Sequence, residues 1–148
     1  MPRPKEQSPE FFVDRSLGKS IVEGLRAAGL TVHSMAEVYG EKRAQLLADE
    51  IWLQDAGKND WIVLTKDDAI RRRPAERDAL TKAAVRVFCL TNRSLRGAEQ
   101  TERFVSNRHR ILRQSHKPGP YIYGVYEKSL KRLWPTSTGA EEAIRRDA

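Results

Sequence analysis

The sequence predicts a single three-layer α/β/α domain around a mainly parallel central sheet. Short apolar runs recur at residues 11–13, 61–64 and 85–90, each short enough to be a buried strand. Between them lie stretches whose apolar residues repeat at helical spacing. Strands alternating with helices favour parallel pairing through right-handed crossovers.

The 148 residues are one domain's length, and the apolar content of 39% suffices for one buried core. Residues 1–9 read as a polar arm, 10–134 as the domain and 135–148 as a flexible tail. No apolar run approaches the ~20 residues that span a bilayer. Residues 1–10 show no apolar signal core, and Cys89 has no second cysteine to pair with. A reducing cytoplasm and no membrane partner are therefore expected.

The elements follow in order. Phe11, Phe12 and Val13 form the first strand and end at Asp14. Leu17, Ile21, Val22, Leu25 and Ala28 make one helical stripe, which Gly29 terminates as a C-cap residue. Residues 30–33 are a weaker second strand, and residues 34–47 are open between loop and helix. Asp49 and Glu50 precede Ile51, Trp52, Leu53 and Ala56, an acidic helix start that would make Asp49 an N-cap. Residues 61–64 form the third strand and run into Thr65, Lys66, Asp67 and Asp68. Pro74 suits the first position of a helix continuing to residue 84. Residues 85–90 give a fourth strand. One long amphipathic helix is expected over residues 95–114, with Phe104, Val105, Arg108, Ile111 and Leu112 on one face. Residues 121–126 and 130–134 pair as the last strands.

In open parallel sheets, sites form beyond the carboxyl ends of the strands. Asp14, Asp67 and Asp68 fall there by topology, and Asp49 follows the second strand toward the same edge. Any one of these acids could merely cap a helix, and capping alone accounts for Asp49. Grouped together they repel, which a hard cation such as Mg²⁺ or Mn²⁺ relieves. Such an ion polarises phosphoryl oxygens and activates water.

The formal net charge is +7. Residues 1–60 carry 8 Lys and Arg against 10 Asp and Glu, whereas residues 61–148 carry 19 against 10. This imbalance favours a polyanionic partner. Arg15, Lys19, Lys66, Arg71, Arg72 and Arg73 adjoin the acids and are the candidate phosphate contacts. Other chemistries lack support. His33, His109 and His116 have no zinc-type spacing with Cys89, which reads as a buried inert thiol, and no glycine-rich phosphate loop is present.

The segments FFVDRSLG (11–18), Asp49-Glu50-Ile51 and VLTKDDAIRRRP (63–74) resemble the PIN-like domain, in particular its short branch of VapC-type toxins. The resemblance covers about residues 10–134, judged by order and spacing. It implies a Mg²⁺- or Mn²⁺-dependent endoribonuclease and a toxin of a type II toxin–antitoxin pair. A cognate antitoxin, an RNA substrate and frequently a homodimer would be its partners. By resemblance Asp14, Asp49 and Asp67 map onto the acidic site, with Asp68 or Glu50 as the fourth acid. Two rival readings remain open at this point. One is a non-catalytic RNA- or DNA-binding module with a degenerate nuclease fold. The other is a phospho-receiver domain, which would carry its acidic pair after the first strand, not the third.

Overall fold

A computed structural model describes residues 8–136. Most of the expected polar arm (1–9) and of the expected tail (135–148) lies outside the described residues.

A six-stranded sheet of order β2-β1-β3-β4-β5-β6 forms the centre. The strands are β1 (Glu10–Val13), β2 (Thr31–Ser34), β3 (Ile62–Thr65), β4 (Arg86–Leu90), β5 (Tyr121–Val125) and β6 (Leu130–Trp134). All neighbours are parallel except β5 and β6. The helices are α1 (Lys19–Ala27), α2 (Met35–Tyr39), α3 (Glu41–Leu46), α4 (Asp49–Lys58), α5 (Pro74–Lys82), α6 (Gly97–Ser106) and α7 (Arg108–Ser115).

The apolar runs are continuous because both sheet faces are covered. Successive side chains alternate between them. Phe11, Val13, Ile62, Leu64, Phe88 and Leu90 join Ile21, Leu25, Phe104 and Ile111 in one core. Phe12, Val63, Val87 and Cys89 join Trp52, Leu53, Ala56 and Leu80 in the other. Phe12 stacks on Trp52 and Trp61, with ring centroids 5.4 Å apart in each case. Cys89 is buried, as expected. Burial raises its pKa, which keeps it a thiol.

Local signals explain most boundaries. Ala28 is the C-cap of α1, and Gly29 follows it with φ +95°. Gly29 N donates to Arg26 O and Leu30 N to Leu25 O, the paired bonds of a left-handed helix stop. The open stretch 34–47 is two short helices, α2 and α3, the first capped by the Ser34 side chain.

The expected long helix over 95–114 is corrected to two helices that break at Asn107. Asn107 is fully buried, and its Nδ2 shares two hydrogens among Arg103 O at 2.8 Å, Tyr126 O at 2.8 Å and Glu127 O at 3.2 Å. Its side chain thus satisfies carbonyls from the turn after β5. A periodicity argument sees only the apolar stripe, which continues through the break, and misses an amide whose partners lie about 20 residues away.

Asn107→Ala would leave those turn carbonyls without their donor. The expected cost is about 2–3 kcal/mol, read as a lower urea midpoint with unchanged slope.

Candidate active site

The chain leaves β1 toward β2 on one side and returns to β3 on the other. The carboxyl ends of β1 and β3 therefore flank the sheet's switch point, where a crevice opens. Asp14 follows β1 there, and Asp67 follows β3.

Asp14 is buried. Its Oδ1 accepts from Ser16 N at 3.1 Å and Ser16 Oγ at 2.5 Å, and its Oδ2 accepts from Thr65 Oγ1 at 2.9 Å. The two hydroxyls also lie 3.1 Å apart. Each accepts a backbone hydrogen, Ser16 Oγ from Lys66 N and Thr65 Oγ1 from Asp67 N, both at 3.0 Å. One carboxylate thus ties the ends of β1 and β3 together. Burial pushes the Asp14 pKa up to about 6, against the pull of the Ser16 and Thr65 hydrogen bonds, and the charge of Asp49 adds to the rise.

Asp49 is the first residue of α4, whose N-cap is Ala48. The expected N-cap role for Asp49 is therefore corrected: its carboxylate makes no cap bond and faces the crevice. Its Oδ1 accepts from Arg15 Nη1 at 3.0 Å and Trp52 Nε1 at 2.8 Å. Trp52 is anchored in the core, so it fixes this acid from below. Asp67 caps the 3-10 turn Asp68–Arg72, with its Oδ1 accepting from Ala69 N at 3.1 Å.

Among the described residues, carboxylate oxygens of Asp49, Asp67 and Glu76 lie within 4.8 Å of one another. Glu76, in the first turn of α5, is the member that the sequence reading missed. The available signal was an acid two residues after an N1 proline, which marks the first turn of a helix after the third strand and says nothing of what that turn packs against. Burial, with help from Asp49, raises the Glu76 pKa, while Arg73 opposes the rise. Asp14 stands outside this trio, near enough to Asp49 for their charges to interact.

Asp68 and Glu50 are not part of the trio. The Asp68 carboxylate faces Arg93 at 3.3 Å and Arg72 at 4.0 Å. Of the six expected phosphate contacts, two turn inward. Arg15 Nε donates to Ala44 O at 3.1 Å, and its other nitrogens bond Asp49 and Leu47 O, which makes it a strap between β1, α3 and α4. Arg73 bonds Asp67 and Glu76 and reaches Asp49. Lys19, Lys66 and Arg72 are exposed, and Arg71 is half-buried with no hydrogen-bond partner for its Nε. A cavity of about 570 Å³ opens beside Asp14 and is lined by Arg15, Lys19, Arg26 and Glu37 among others. A larger one of about 670 Å³, near Glu10, Asp60 and Gly119, lies at the opposite strand ends, away from every acid of the site.

The donor set is all carboxylate oxygen, which suits Mg²⁺ or Mn²⁺ and not a soft metal. Asp49 and Asp67 would hold such an ion together with Glu76, with Asp14 beside them.

The raised pKa of Asp14 sets a pH dependence. An unfolded Asp titrates near 3.8 and the buried one near 6, so the folded metal-free protein binds this proton more tightly. The stability it contributes is present below about pH 4 and is lost as pH rises through about 6, a change of about 3 kcal/mol. Urea midpoints in chelator should show this decline over pH 4–7, and Asp14→Asn should flatten it.

Comparisons with known proteins identify the family. A family model described as "PIN like domain" matches residues 9–92. The Mycobacterium tuberculosis (strain ATCC 25618 / H37Rv) protein named "Putative ribonuclease VapC45" is 34% identical over 124 residues, covering 83% of this chain and 90% of that protein. No solved structure matches the chain significantly. A six-stranded, mainly parallel sheet with acids at its switch point, matched by that model over more than half of the chain, places the protein in the PIN-like domain family.

Proposed function

We propose that this protein is a divalent-metal-dependent endoribonuclease that acts as the toxin of a type II toxin–antitoxin pair. The observation that carries the reading is the convergence of Asp49, Asp67 and Glu76 within 4.8 Å of one another, beside buried Asp14. The relationship to a protein named as a VapC ribonuclease supports the same chemistry and a cognate antitoxin. No helix among the described residues is long and apolar enough to cross a membrane.

Bound Mg²⁺ or Mn²⁺ supplies a Lewis acid for a phosphoryl oxygen and lowers the pKa of water. The protein's own groups do the positioning. Asp49 and Asp67 each have one oxygen anchored by a hydrogen bond and the other turned to the crevice. Asp14, held by two hydroxyls, cannot rotate, so it presents a fixed anionic edge at pH values above its pKa of about 6. In the metal-free protein it is protonated below that pH, and a cation held beside it favours the charged form. Exposed Lys19, Lys66 and Arg72 draw the RNA backbone toward the edge.

Cleavage of an RNA pool should require Mg²⁺ or Mn²⁺ and stop in EDTA. Asp14→Asn, Asp67→Asn and Glu76→Gln should each reduce it at least ~100-fold while the far-ultraviolet circular dichroism stays unchanged. Asp68→Asn, outside the trio, should cost less than ~10-fold. Cleavage that survives EDTA would exclude the mechanism. RNA binding without turnover under any metal would favour a binding module instead.

A further inference from the structure

Arg73 occupies the N-cap of α5 with an extended backbone, φ −96° and ψ 118°. The ring of Pro74 disfavours a helical residue before it, so Arg73 is kept out of the helix. Its side chain crosses the helix start. Nη1 lies 2.8 Å from Glu76 Oε1, 3.0 Å from Asp67 Oδ2 and 3.4 Å from Asp49 Oδ2. One nitrogen therefore meets all three carboxylates of the trio. It carries only two hydrogens, so it cannot bond three acceptors well. Its contact with the group is in part that of a cation among anions.

The other oxygens of two acids are held elsewhere. Asp49 Oδ1 is kept by Arg15 and Trp52, and Asp67 Oδ1 by Ala69 N, with Arg73 Nη2 more distant at 3.4 Å. Removing Arg73 would thus leave these two carboxylates anchored, with their free oxygens still aimed at one point. A divalent cation seeking those oxygens has to take the place of Nη1. The Arg73 side chain is 43% exposed, which gives it a way out to solvent. A freed guanidinium pairs well with a phosphate.

We infer that Arg73 is the built-in counter-cation of the acidic site: a divalent ion displaces it, and the displaced guanidinium then engages an RNA phosphate. The inference rests on the metal-dependent reading above. It makes metal loading and RNA binding mutually reinforcing, because Arg73 is released to the substrate only when the acids are otherwise neutralised.

The test is calorimetric titration of the full chain with Mn²⁺. Arg73→Met should bind Mn²⁺ about ten-fold tighter than wild type, since no internal cation competes. Lys82→Met is the control. It removes the same charge from α5 at an exposed residue paired with Asp78, and should stay within about two-fold of wild type. Arg73→Lys, which keeps the charge on a shorter side chain, should fall between and serves where the methionine variant fails to fold. A second readout is fluorescence anisotropy of a 2′-O-methyl RNA oligonucleotide, which resists cleavage. Mn²⁺ should tighten its binding to wild type, and Arg73→Met should lose most of that gain.

Mn²⁺ affinity in the Arg73 variants no higher than in Lys82→Met would overturn the inference and leave the metal-dependent reading standing. A Mn²⁺-dependent gain in RNA binding that persists in Arg73→Met would overturn the phosphate role. Absence of Mn²⁺ binding in wild type and every variant would overturn the metal-dependent reading and this inference with it. Mn²⁺ binding by Arg73→Met and not by wild type would overturn the displacement step, because the ion would then fail to dislodge Arg73.

Discussion

Holding carboxylates within 4.8 Å of one another is the constraint on which the rest of this structure turns. At that separation two unit charges repel by about 3 kcal/mol if the effective dielectric is ~20. The fold answers with several partial neutralisations. Two helices begin at the site, α4 with Asp49 and α5 with Glu76 in their first turns, and their amino ends carry partial positive charge. Arg15 and Arg73 add full charges. These helices can start side by side only because they also pack tightly further down. A Cβ on Gly57 of α4 would lie 2.4 Å from Ala83 O at the end of α5. Trp52 links both requirements, since its ring stacks on Phe12 of β1 and its Nε1 donates to Asp49.

Asp14 obeys a different logic. Its oxygens meet hydroxyls and a backbone N–H, not cations. Hydrogen accounting shows why the arrangement tolerates either protonation state. With Asp14 ionised, Ser16 and Thr65 both donate to it. With Asp14 protonated, it donates to Thr65 Oγ1, Thr65 to Ser16 Oγ, and Ser16 to Asp14 Oδ1, which uses the 3.1 Å contact between the hydroxyls. No heavy atom has to move. The carboxyl group is therefore fixed in position while its charge is set by pH and by whatever cation stands nearby. Burial raises its pKa to about 6, because two hydroxyls and one backbone N–H only partly replace the water it has lost.

The central strands β1, β3 and β4 were legible because each carries a short apolar run and they are separated by helix starts and stops that have single-residue chemistry. Pro74 and Gly29 act locally, so their neighbours suffice to read them. Asp14 and Asp67 were legible for the same reason, since each ends a strand. Glu76 was not. It lies inside a helix start, where an acid is explained by the helix itself, and only the packing of α5 against α4 brings it to Asp49 and Asp67. Asp49 shows the reverse error. Its sequence context suits an N-cap, but the N-cap is one residue earlier, Ala48, and Asp49 is already the first residue of the helix, so its side chain makes no cap bond. Asn107 was missed because its hydrogen-bond partners belong to the turn after β5.

The basic residues divide along a related line. A run of arginine beside acids reads in sequence as a grip on phosphate. In three dimensions the acids claim the nearest cations first, because a carboxylate at 3 Å outweighs a distant polyanion. Arg15 is bound to Asp49 and to backbone carbonyls, so its work is to fix α3 and α4 against β1. Arg73 is held inside the trio. The long-range attraction for RNA has to come from cations without such ties, and exposed Lys19, Lys66 and Arg72 qualify, Arg72 with only a 4.0 Å contact to Asp68. Net charge therefore predicts the sign of the partner, but the local pairing of each guanidinium decides whether it attracts RNA from afar, aligns an acid, or waits on a competitor for its place.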